Sequence, residues 1–397
     1  MEMKPAVVLS THTMGLGVIR ALGAMGVPII AYYYNDKDMG YVSKYITKRM
    51  QVPHPEHGEE LFVATLVAQA SQSGGGLLIP ASYETLTTVS RHKDLLDDYY
   101  TVACTDWDIT QRYIEKRHTY ALADAVGVPA PKTAVPHSRE EAAAYAEAVT
   151  FPCLVKPSES HLYYEVFNTK MVRVTNIDEL LDAYQQAADR GFEVMIQELI
   201  PGDDACGVNY NAYFWDGKPL VEFTAPQLRN APPEFGSPRV VMSKHIPEVL
   251  EPGRKILKAM GFYGYACTEF KRDPRDGVYK LMEVNGRHNR SLMLSVHCGL
   301  NFPWLQYRHL MEGEEPVATD YPEGVYWIAL MEDLFNSVKY RKLENYRWAD
   351  YLRPYLQPHV FSVFDRHDLR PSLRRLSELV GRSLRSKPAH ASEISKA

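Results

Sequence analysis

The first hundred residues alternate short apolar runs with longer stretches of helical periodicity. Residues 6–10 (AVVLS) and 27–34 (VPIIAYYY) have the composition of buried parallel strands, and the stretch near residues 16–25 is typical of a helix. The alternation continues through 74–82 (GGGLLIPAS) and a helical pattern after it. We therefore predict a doubly wound α/β domain over residues 1–105.

Two glycines follow the first strand, where a dinucleotide-binding fold carries a glycine-rich phosphate loop. Gly15 and Gly17 are followed by Val18, Ile19 and Arg20, so the third glycine of that fingerprint is missing. The incomplete motif favours a structural turn over an NAD or FAD site.

The pattern changes near residue 106. An amphipathic helical stretch occupies much of 106–133. Two strand-like runs, 151–157 (FPCLVKP) and 192–204 (FEVMIQELIPGDD), then flank a helical pattern over 178–191. These features predict a second unit of the α+β class.

Strands dominate from residue 208 to about 290, and one pair forms a predicted β-hairpin. Two apolar–polar runs within 265–285 flank an Asp-Pro-Arg-Asp-Gly turn. Because side chains alternate along a strand, Glu283 and Asn285 share a face. Folding about the turn places Glu269 opposite residue 281 or 283, so two carboxylates and a carboxamide converge.

This convergence is an all-oxygen set, the ligand chemistry that Mg²⁺ prefers, and substrate phosphates usually supply further oxygens. The hairpin is therefore a candidate site for metal and nucleotide together. The alternative is a solvated sheet face, where the same residue types are common.

Composition and charge narrow the function. The chain has 397 residues, 45% of them hydrophobic, and a formal net charge of −5, which argues against a general nucleic-acid binder. It has neither a long apolar leader nor about 18 uninterrupted apolar residues, so we expect a cytoplasmic protein without stable membrane association. Its cysteines are scattered and suggest neither a zinc site nor disulfides; they are Cys104, Cys153, Cys206, Cys267 and Cys298.

Several groups could complete a magnesium–nucleotide site. Lys156 ends an apolar strand and is placed to reach a phosphate, and Lys116 is a second candidate unless it is a helix-surface lysine. The extended backbone of 196–204 could contact an adenine edge, with Gln197 or Glu198 near the amino group. Asp203 or Asp204 could meet the ribose, although turn chemistry explains that pair equally well.

The order of these features along residues 5–313 resembles the ATP-grasp superfamily. The features are a lysine, Val-Lys-Pro, Gln-Glu-Leu-Ile-Pro-Gly-Asp-Asp, Glu-Phe-Lys-Arg and Glu-Val-Asn-Gly-Arg. Further stretches, such as GLGVIRALGAMGVP and ALADAVGVPAPKT, resemble the carboxylate–amine ligase branch that includes D-aspartate ligase and, more broadly, ligases related to carbamoyl phosphate synthase.

The resemblance implies an α/β and α+β architecture in three parts. The first part is a Rossmann-like preATP-grasp domain over 1–105. The second is an ATP-grasp domain over 106–313, which divides into an ATP-clamping subdomain (106–205) and a metal-binding catalytic subdomain (206–313). The third is a helical C-terminal extension over 314–397.

The resemblance also implies a role for each matching residue. Lys116 and Lys156 match the phosphate-binding lysines, and Arg287 matches the arginine beside the reacting phosphate, so that Lys156 and Arg287 would be the catalytic cations. The residues that match the adenine hinge are Gln197, Glu198 and Ile200, and Asp204 matches the acid that binds the ribose. The residues that match the magnesium ligands are Glu269, Glu283 and Asn285. His288 and Arg290 follow, where a substrate would lie. Arg290 is a candidate carboxylate anchor, or else an outward loop arginine.

One segment departs from the family pattern. Residues 158–170 (SESHLYYEVFNTK) lack the glycines that usually cover the phosphates. Ser158, Ser160, His161 or Lys170 could supply donors instead, and the segment could act as a bulky lid.

The activity implied is an ATP- and Mg²⁺- (or Mn²⁺-) dependent, ADP-forming ligase. It would phosphorylate a small-molecule carboxylate and couple the acyl phosphate to an amine, such as an amino acid. Two alternatives stay open: activation of another oxygen nucleophile, such as bicarbonate or a cyclohexenone enol, and a non-catalytic nucleotide-binding protein.

The C-terminal extension contains a helical pattern over 368–387 (DLRPSLRRLSELVGRSLRSK). Its apolar positions recur at helical spacing with arginines on the other faces; they are Leu369, Leu373, Leu376, Val380 and Leu384. We expect this helix to pack on its own domain or on a dimer mate, and a basic membrane-surface helix is the alternative. A disordered tail is expected over 388–397.

Overall fold

A five-stranded parallel sheet forms the N-terminal part of the chain. The computed structural model describes residues 3–157, 166–167, 171–234, 236–344 and 346–385. The sheet order is β3-β2-β1-β4-β5, the doubly wound arrangement predicted. Its strands are β1 (Ala6–Leu9), β2 (Ile29–Tyr33), β3 (Ile46–Gln51), β4 (Leu77–Pro80) and β5 (Thr101–Val102), with helices α1 (Thr13–Gly23), α2 (Glu59–Ser73), α3 (Tyr83–Arg91) and α4 (Lys93–Asp97).

The two glycines after the first strand lie inside α1 and not in a turn before it. A side chain on Gly15 would meet the carbonyl oxygen of Ser10 at 2.0 Å, and one on Gly17 would press on Leu292 at 3.2 Å. These glycines therefore permit close packing of a helix, and the structural turn predicted for them is wrong.

A four-stranded antiparallel sheet of order β6-β9-β7-β8 follows two connecting helices. The elements are α5 (Trp107–Ile114), α6 (Lys116–Ala125), β6 (Thr133–Ala134), α7 (Arg139–Ala148), β7 (Cys153–Pro157), β8 (Val172–Val174), α8 (Ile177–Ala188) and β9 (Val194–Glu198). Ser138 and Asn176 cap α7 and α8 by accepting hydrogen bonds from backbone amides. We call residues 139–198 the clamp.

A seven-stranded sheet of order β14-β13-β10-β11-β12-β15-β16 forms the largest layer. Its first strands are β10 (Gly207–Trp215), β11 (Lys218–Ala231), β12 (Ser237–Met242), β13 (Gly264–Arg272) and β14 (Tyr279–Asn285), with helices α9 (Leu250–Met260), α10 (Leu292–His297) and α11 (Phe302–Glu312). The hairpin of β13 and β14 pairs Glu269 with Glu283, which is one of the two registers predicted.

The C-terminal extension is helical, as predicted, but it also completes the seven-stranded sheet. Its helices are α12 (Leu330–Lys339), α13 (Arg341–Glu344), α14 (Trp348–Leu356) and α15 (Leu369–Arg385), and its strands are β15 (Tyr326–Ile328) and β16 (His359–Phe361). The proposed tail over 388–397 and the proposed lid donors Ser158, Ser160, His161 and Lys170 lie outside the described residues.

Buried side chains explain how these parts fit together. One core cluster joins Leu9 of the N-terminal sheet to Tyr113 of α5 and to Phe270 and Leu281 of the hairpin. The clamp has a separate cluster of its own, which includes Leu180. The hairpin is thus fixed to the N-terminal domain. No helix in the described parts of the chain has both the length and the apolar composition to cross a membrane.

The extension is held to the large sheet by a buried ion cluster. Asp333 of α12 is fully buried and accepts a 2.7 Å hydrogen bond from Nη1 of Arg239, itself 1% exposed. Nε of Arg229 lies 3.4 Å from the same carboxylate, and the Tyr355 hydroxyl donates to it at 2.5 Å. Charges this deep persist only when paired.

Asp333→Asn leaves Arg229 and Arg239 with less negative charge beside them, so we expect the free energy of unfolding to fall by about 3 to 5 kcal/mol. Urea denaturation followed by tryptophan fluorescence measures this loss. Asp350→Asn is the matched control, since Asp350 is 65% exposed, and should change stability by less than about 0.5 kcal/mol. Equal effects of the two substitutions would contradict the structural role of the cluster.

Candidate active site

The candidate site is centred on the β13–β14 hairpin, whose alternation brings Glu269, Glu283 and Asn285 to one face. Glu269 lies opposite Glu283, and Asn285 Nδ2 donates to Glu269 Oε1 at 3.3 Å. The Glu283 side chain is 38% exposed, so this face opens to a cleft. The predicted ligand set is therefore assembled in one place.

The two carboxylates repel each other. Burial, together with the charge of Glu283, raises the pKa of Glu269 above its ordinary value. Burial also acts upward on the pKa of Glu283, but Lys116 and Arg287 outweigh it and the pKa is lowered. A divalent cation between the carboxylates would relieve this repulsion, so the residues fit Mg²⁺. In the described chain, His, Cys, Asp and Glu alone form no metal-binding group of three.

Three cations surround the carboxylates. Lys116, the first residue of α6, places Nζ 3.3 Å from Glu283 Oε2. Arg287 donates from Nη2 to Asn285 Oδ1 at 3.1 Å. Lys156, in strand β7 of the clamp, is described next. The predicted catalytic and phosphate-binding cations thus reach one cleft from three separate elements.

Lys156 differs from Lys116 because its ammonium contacts a neutral amide and not a carboxylate. Its Nζ donates to Oε1 of the fully buried Gln197 at 2.7 Å. Burial, assisted by the nearby charge of Lys116, lowers the pKa of Lys156 to about 7. A phosphate beside this ammonium would raise the pKa of Lys156 back toward its ordinary value.

The side chains predicted for the adenine hinge are either hydrogen-bonded to other groups of the protein or buried. Gln197 donates from Nε2 to Thr133 Oγ1 at 2.9 Å, and Glu198 accepts from Lys132 N at 3.2 Å and from Arg275 Nη2 at 2.5 Å. Ile200 is 2% exposed. A base at this edge would therefore meet backbone groups, and the hinge assignment remains a prediction.

Both carboxylate oxygens of Asp204 bind backbone amides across the chain. Oδ2 accepts from Asn230 N at 2.6 Å and Oδ1 from Glu234 N at 2.7 Å. Asp203 caps the short 3₁₀ turn after it by accepting from Ala205 N at 3.1 Å. The ribose role of Asp204 stays a prediction, and its observed contacts secure the end of β11.

His288 and Arg290 diverge after the catalytic strand. The ring of His288 is buried against Tyr265 with centroids 4.3 Å apart, and burial lowers the pKa of His288 to about 3, so the imidazole is neutral. Arg290 instead borders a cavity of about 250 Å³. The structure therefore brings Arg290, and not His288, to a space that a ligand can enter.

The far wall of this cavity belongs to the C-terminal extension, where the sequence analysis assigned no site residues. Glu332 of α12 lies 3.5 Å from Arg290 Nη2 and 3.5 Å from Arg375 Nη2. The Nε atom of Arg290 is buried and has no hydrogen-bond partner in the described structure. The signal that could have identified Glu332 is an acidic pair, Glu332-Asp333, directly after two apolar residues at the start of a helix.

No protein-family model matches the chain. It is 27% identical over 266 residues to D-aspartate ligase of Enterococcus faecium (strain Aus0004), covering 61% of this chain and 62% of the relative. It is 25% identical over 221 residues to D-alanine–D-alanine ligase of Ectopseudomonas mendocina (strain ymp), covering 51% of this chain and 66% of the relative. The chain thus spans less than two thirds of the length of these curated relatives.

Solved structures share the fold. The biotin carboxylase domain dimer of Hydrogenobacter thermophilus 2-oxoglutarate carboxylase, in complex with MgADP, ADP and bicarbonate, has a TM-score of 0.64 at 18% identity, covering 82% of this chain and 74% of that one. The L-amino acid ligase of Bacillus licheniformis has a TM-score of 0.59 at 15% identity, covering 78% and 75%. The chain is thus similar in sequence to a D-aspartate ligase and a D-alanine–D-alanine ligase, and similar in fold to a biotin carboxylase domain and an L-amino acid ligase.

The low pKa of Lys156 is directly measurable. After reductive methylation with ¹³C-formaldehyde, we expect one lysine resonance to titrate near pH 7, with the ammonium dominant below that pH, because burial disfavours its charged form. Proton–carbon NMR over a pH series records the titration, and Lys156→Arg identifies the resonance by removing it. Titration of that resonance near pH 10 would contradict the described environment of Lys156.

Proposed function

We propose that this protein is an ADP-forming ligase that couples a small-molecule carboxylate to an amine at the expense of ATP. The supporting observation is the arrangement of Glu269 opposite Glu283, with Asn285 between the strands and cations from three elements around them. Carboxylates in this arrangement need a metal, and phosphates need the surrounding cations. The similarity to ATP-grasp ligases agrees with that chemistry.

Magnesium would be held by Glu269, Glu283 and Asn285, with the remaining positions left to phosphate oxygens and water. When bound, it supplies charge neutralisation between the phosphates that carry the leaving and transferred groups. In the structure, Nζ of Lys116 lies 3.3 Å from Oε2 of Glu283 and offsets the charge of that carboxylate. With a metal on that carboxylate, the Lys116 ammonium is available to a phosphate.

The proposed reaction has two steps. A carboxylate oxygen of the substrate attacks the γ-phosphorus of ATP, the bond from that phosphorus to the β-phosphate oxygen breaks, and ADP leaves. The amine nitrogen then attacks the carbonyl carbon of the acyl phosphate, the carbon–oxygen bond to phosphate breaks, and the nitrogen loses a proton. Lys156 and Arg287 offset the charge on the transferred group in both steps.

The cavity beside Arg290 is the proposed site of the amine substrate. Its mouth combines the Arg290 guanidinium with the Glu332 carboxylate, and Ala231, Pro232 and Pro238 provide an apolar edge. An α-amino acid carries a carboxylate, an ammonium and an aliphatic part that match these three features. We therefore assign the amine to the amino-acid class, with Arg290 holding its carboxylate.

A hydroxylamine trap tests the reaction. With ATP, Mg²⁺, hydroxylamine and a panel of carboxylic acids that includes amino acids, we expect one acid to yield a hydroxamate together with ADP, because hydroxylamine intercepts an acyl phosphate. Glu283→Ala should lower hydroxamate formation by about 100-fold or more, since a metal ligand is lost. Circular dichroism checks that the variant is folded.

Glu251→Ala is the matched control for Glu283→Ala, because Glu251 is an exposed glutamate on α9 that is not among the assigned site residues, and it should react like the natural chain. Retained turnover in Glu283→Ala would remove the assigned site. ADP release without hydroxamate, dependent on bicarbonate or an enol, would show that a different oxygen nucleophile is activated.

Arg290→Gln separates the amine site from the phosphoryl-transfer site. We expect the KM for the amino-acid amine to rise about 10- to 100-fold, because a charge-assisted contact to its carboxylate is lost. Hydroxamate formation should be unchanged, since hydroxylamine has no carboxylate to anchor. Arg173→Gln, on the exposed part of β8, is the control. An equal loss of hydroxamate would instead place the carboxylate substrate at Arg290.

A further inference from the structure

The helices of the C-terminal extension expose an unusually large number of apolar side chains. Phe335 and Val338 lie one turn apart on α12, and Trp348, Leu352 and Leu356 follow one another at single turns along α14. We define the outer apolar face by seven residues that are 45 to 81% exposed: Leu334, Phe335, Val338, Leu343, Trp348, Leu352 and Leu356. Isolated exposed apolar residues are ordinary, but a concentration of this size indicates an interaction surface.

The outer apolar face belongs to an ordered part of the fold. On the opposite side of α12, Asp333 and Ser337 are buried and both bind Arg239. The Tyr346 hydroxyl donates to the carbonyl of Ser337 at 3.1 Å, which ties the chain after α13 to α12. The guanidinium of Arg341 lies 5.2 Å from the ring centre of Trp348. The apolar residues are therefore exposed on a fixed surface.

The charges around this face are mostly positive. Residues 339–353 contain five exposed cations and two carboxylates, for a net charge of +3 in a chain of net charge −5. The cations are Lys339, Arg341, Lys342, Arg347 and Arg353. One of the two carboxylates, Glu344, is 10% exposed and pairs with the buried Arg239, so it contributes little at the surface. The face thus combines aromatic and aliphatic groups with a basic border.

A second copy of this chain and the chain's own residues 386–397 are two other groups that could cover the outer apolar face, and both fit these features poorly. In a two-fold dimer through this face, the basic borders of two copies would oppose each other, which costs free energy. Residues 386–397 could not cover seven apolar side chains, since Ile394 is their single large apolar residue. A partner with dense negative charge over an apolar interior matches both the border and the face.

We propose that the outer apolar face docks on the surface of an anionic lipid bilayer. Tryptophan, phenylalanine and leucine would enter the headgroup–acyl boundary, and lysine and arginine would contact lipid phosphates, as in helices that lie in membrane interfaces. The docking proposed is peripheral, with the helices lying in the plane of the interface. It differs from the expectation of no stable membrane association, and it does not depend on the proposed ligase activity.

Co-sedimentation with large unilamellar vesicles tests the docking. The full chain should bind vesicles of three parts phosphatidylcholine to one part phosphatidylglycerol at about 0.1 M salt. Binding should fall at least about fivefold on vesicles of phosphatidylcholine alone and again at about 0.5 M salt, because the cation contacts are screened. Failure of the full chain to sediment with the anionic vesicles would overturn the proposal.

The double substitution Val338→Glu and Leu356→Glu locates the surface. Both side chains are about 80% exposed, so the fold should survive, and binding to anionic vesicles should fall at least about tenfold as apolar contacts are replaced by charge. The matched control is Leu61→Glu with Val317→Glu, at exposed apolar positions elsewhere in the chain, and it should bind normally. Equal loss in both pairs would overturn the assignment.

Light scattering during size-exclusion chromatography distinguishes a second copy from a membrane. We expect the natural chain and the Val338→Glu, Leu356→Glu variant to have the same mass. A dimer in the natural chain that the variant abolishes would overturn the proposal and assign the face to self-association.

Discussion

The opposition of Glu269 and Glu283 across one hairpin is the constraint around which the rest of the structure is arranged. Two carboxylates on neighbouring strands repel each other, and the fold counters this with Lys116, Lys156 and Arg287 from three different elements. Each cation depends on its own support. Lys116 is positioned at the start of α6, and α6 packs with the core cluster that also contains Phe270 and Leu281 of the hairpin. The charge balance at the site is therefore maintained by apolar packing beneath it.

Local sequence signals were sufficient to predict the hairpin and to limit its register to two alternatives. Alternating apolar and polar residues on either side of a five-residue turn leave little freedom in how β13 and β14 pair, and the observed pairing of Glu269 with Glu283 agrees. The same alternation puts Asn285 beside Glu269. Strands β15 and β16 gave no such signal, because three residues are too few to show a period, and their pairing is set by tertiary contacts.

Contacts between distant parts of the chain account for the remaining differences. Glu332 faces Arg290 because α12 folds back over β12, and neither sequence segment alone indicates that approach. The side chains of Gln197 and Asp204 likewise found partners inside the protein, Lys156 for the first and two backbone amides for the second. A motif identifies which residue types gather near a site. It does not tell which of them face the ligand and which support the others.

The clamp has one further property that follows from its separate core. Because its buried cluster, among the described residues, contains no side chain from outside the clamp, that cluster would stay packed if the clamp moved relative to the rest of the chain. The clamp also contacts the rest of the chain through polar groups, such as the ion pair between Glu198 and Arg275. Such pairs exchange readily with water at small free-energy cost. A movement of the clamp would therefore break ion pairs of this kind while the clamp's own core stays packed.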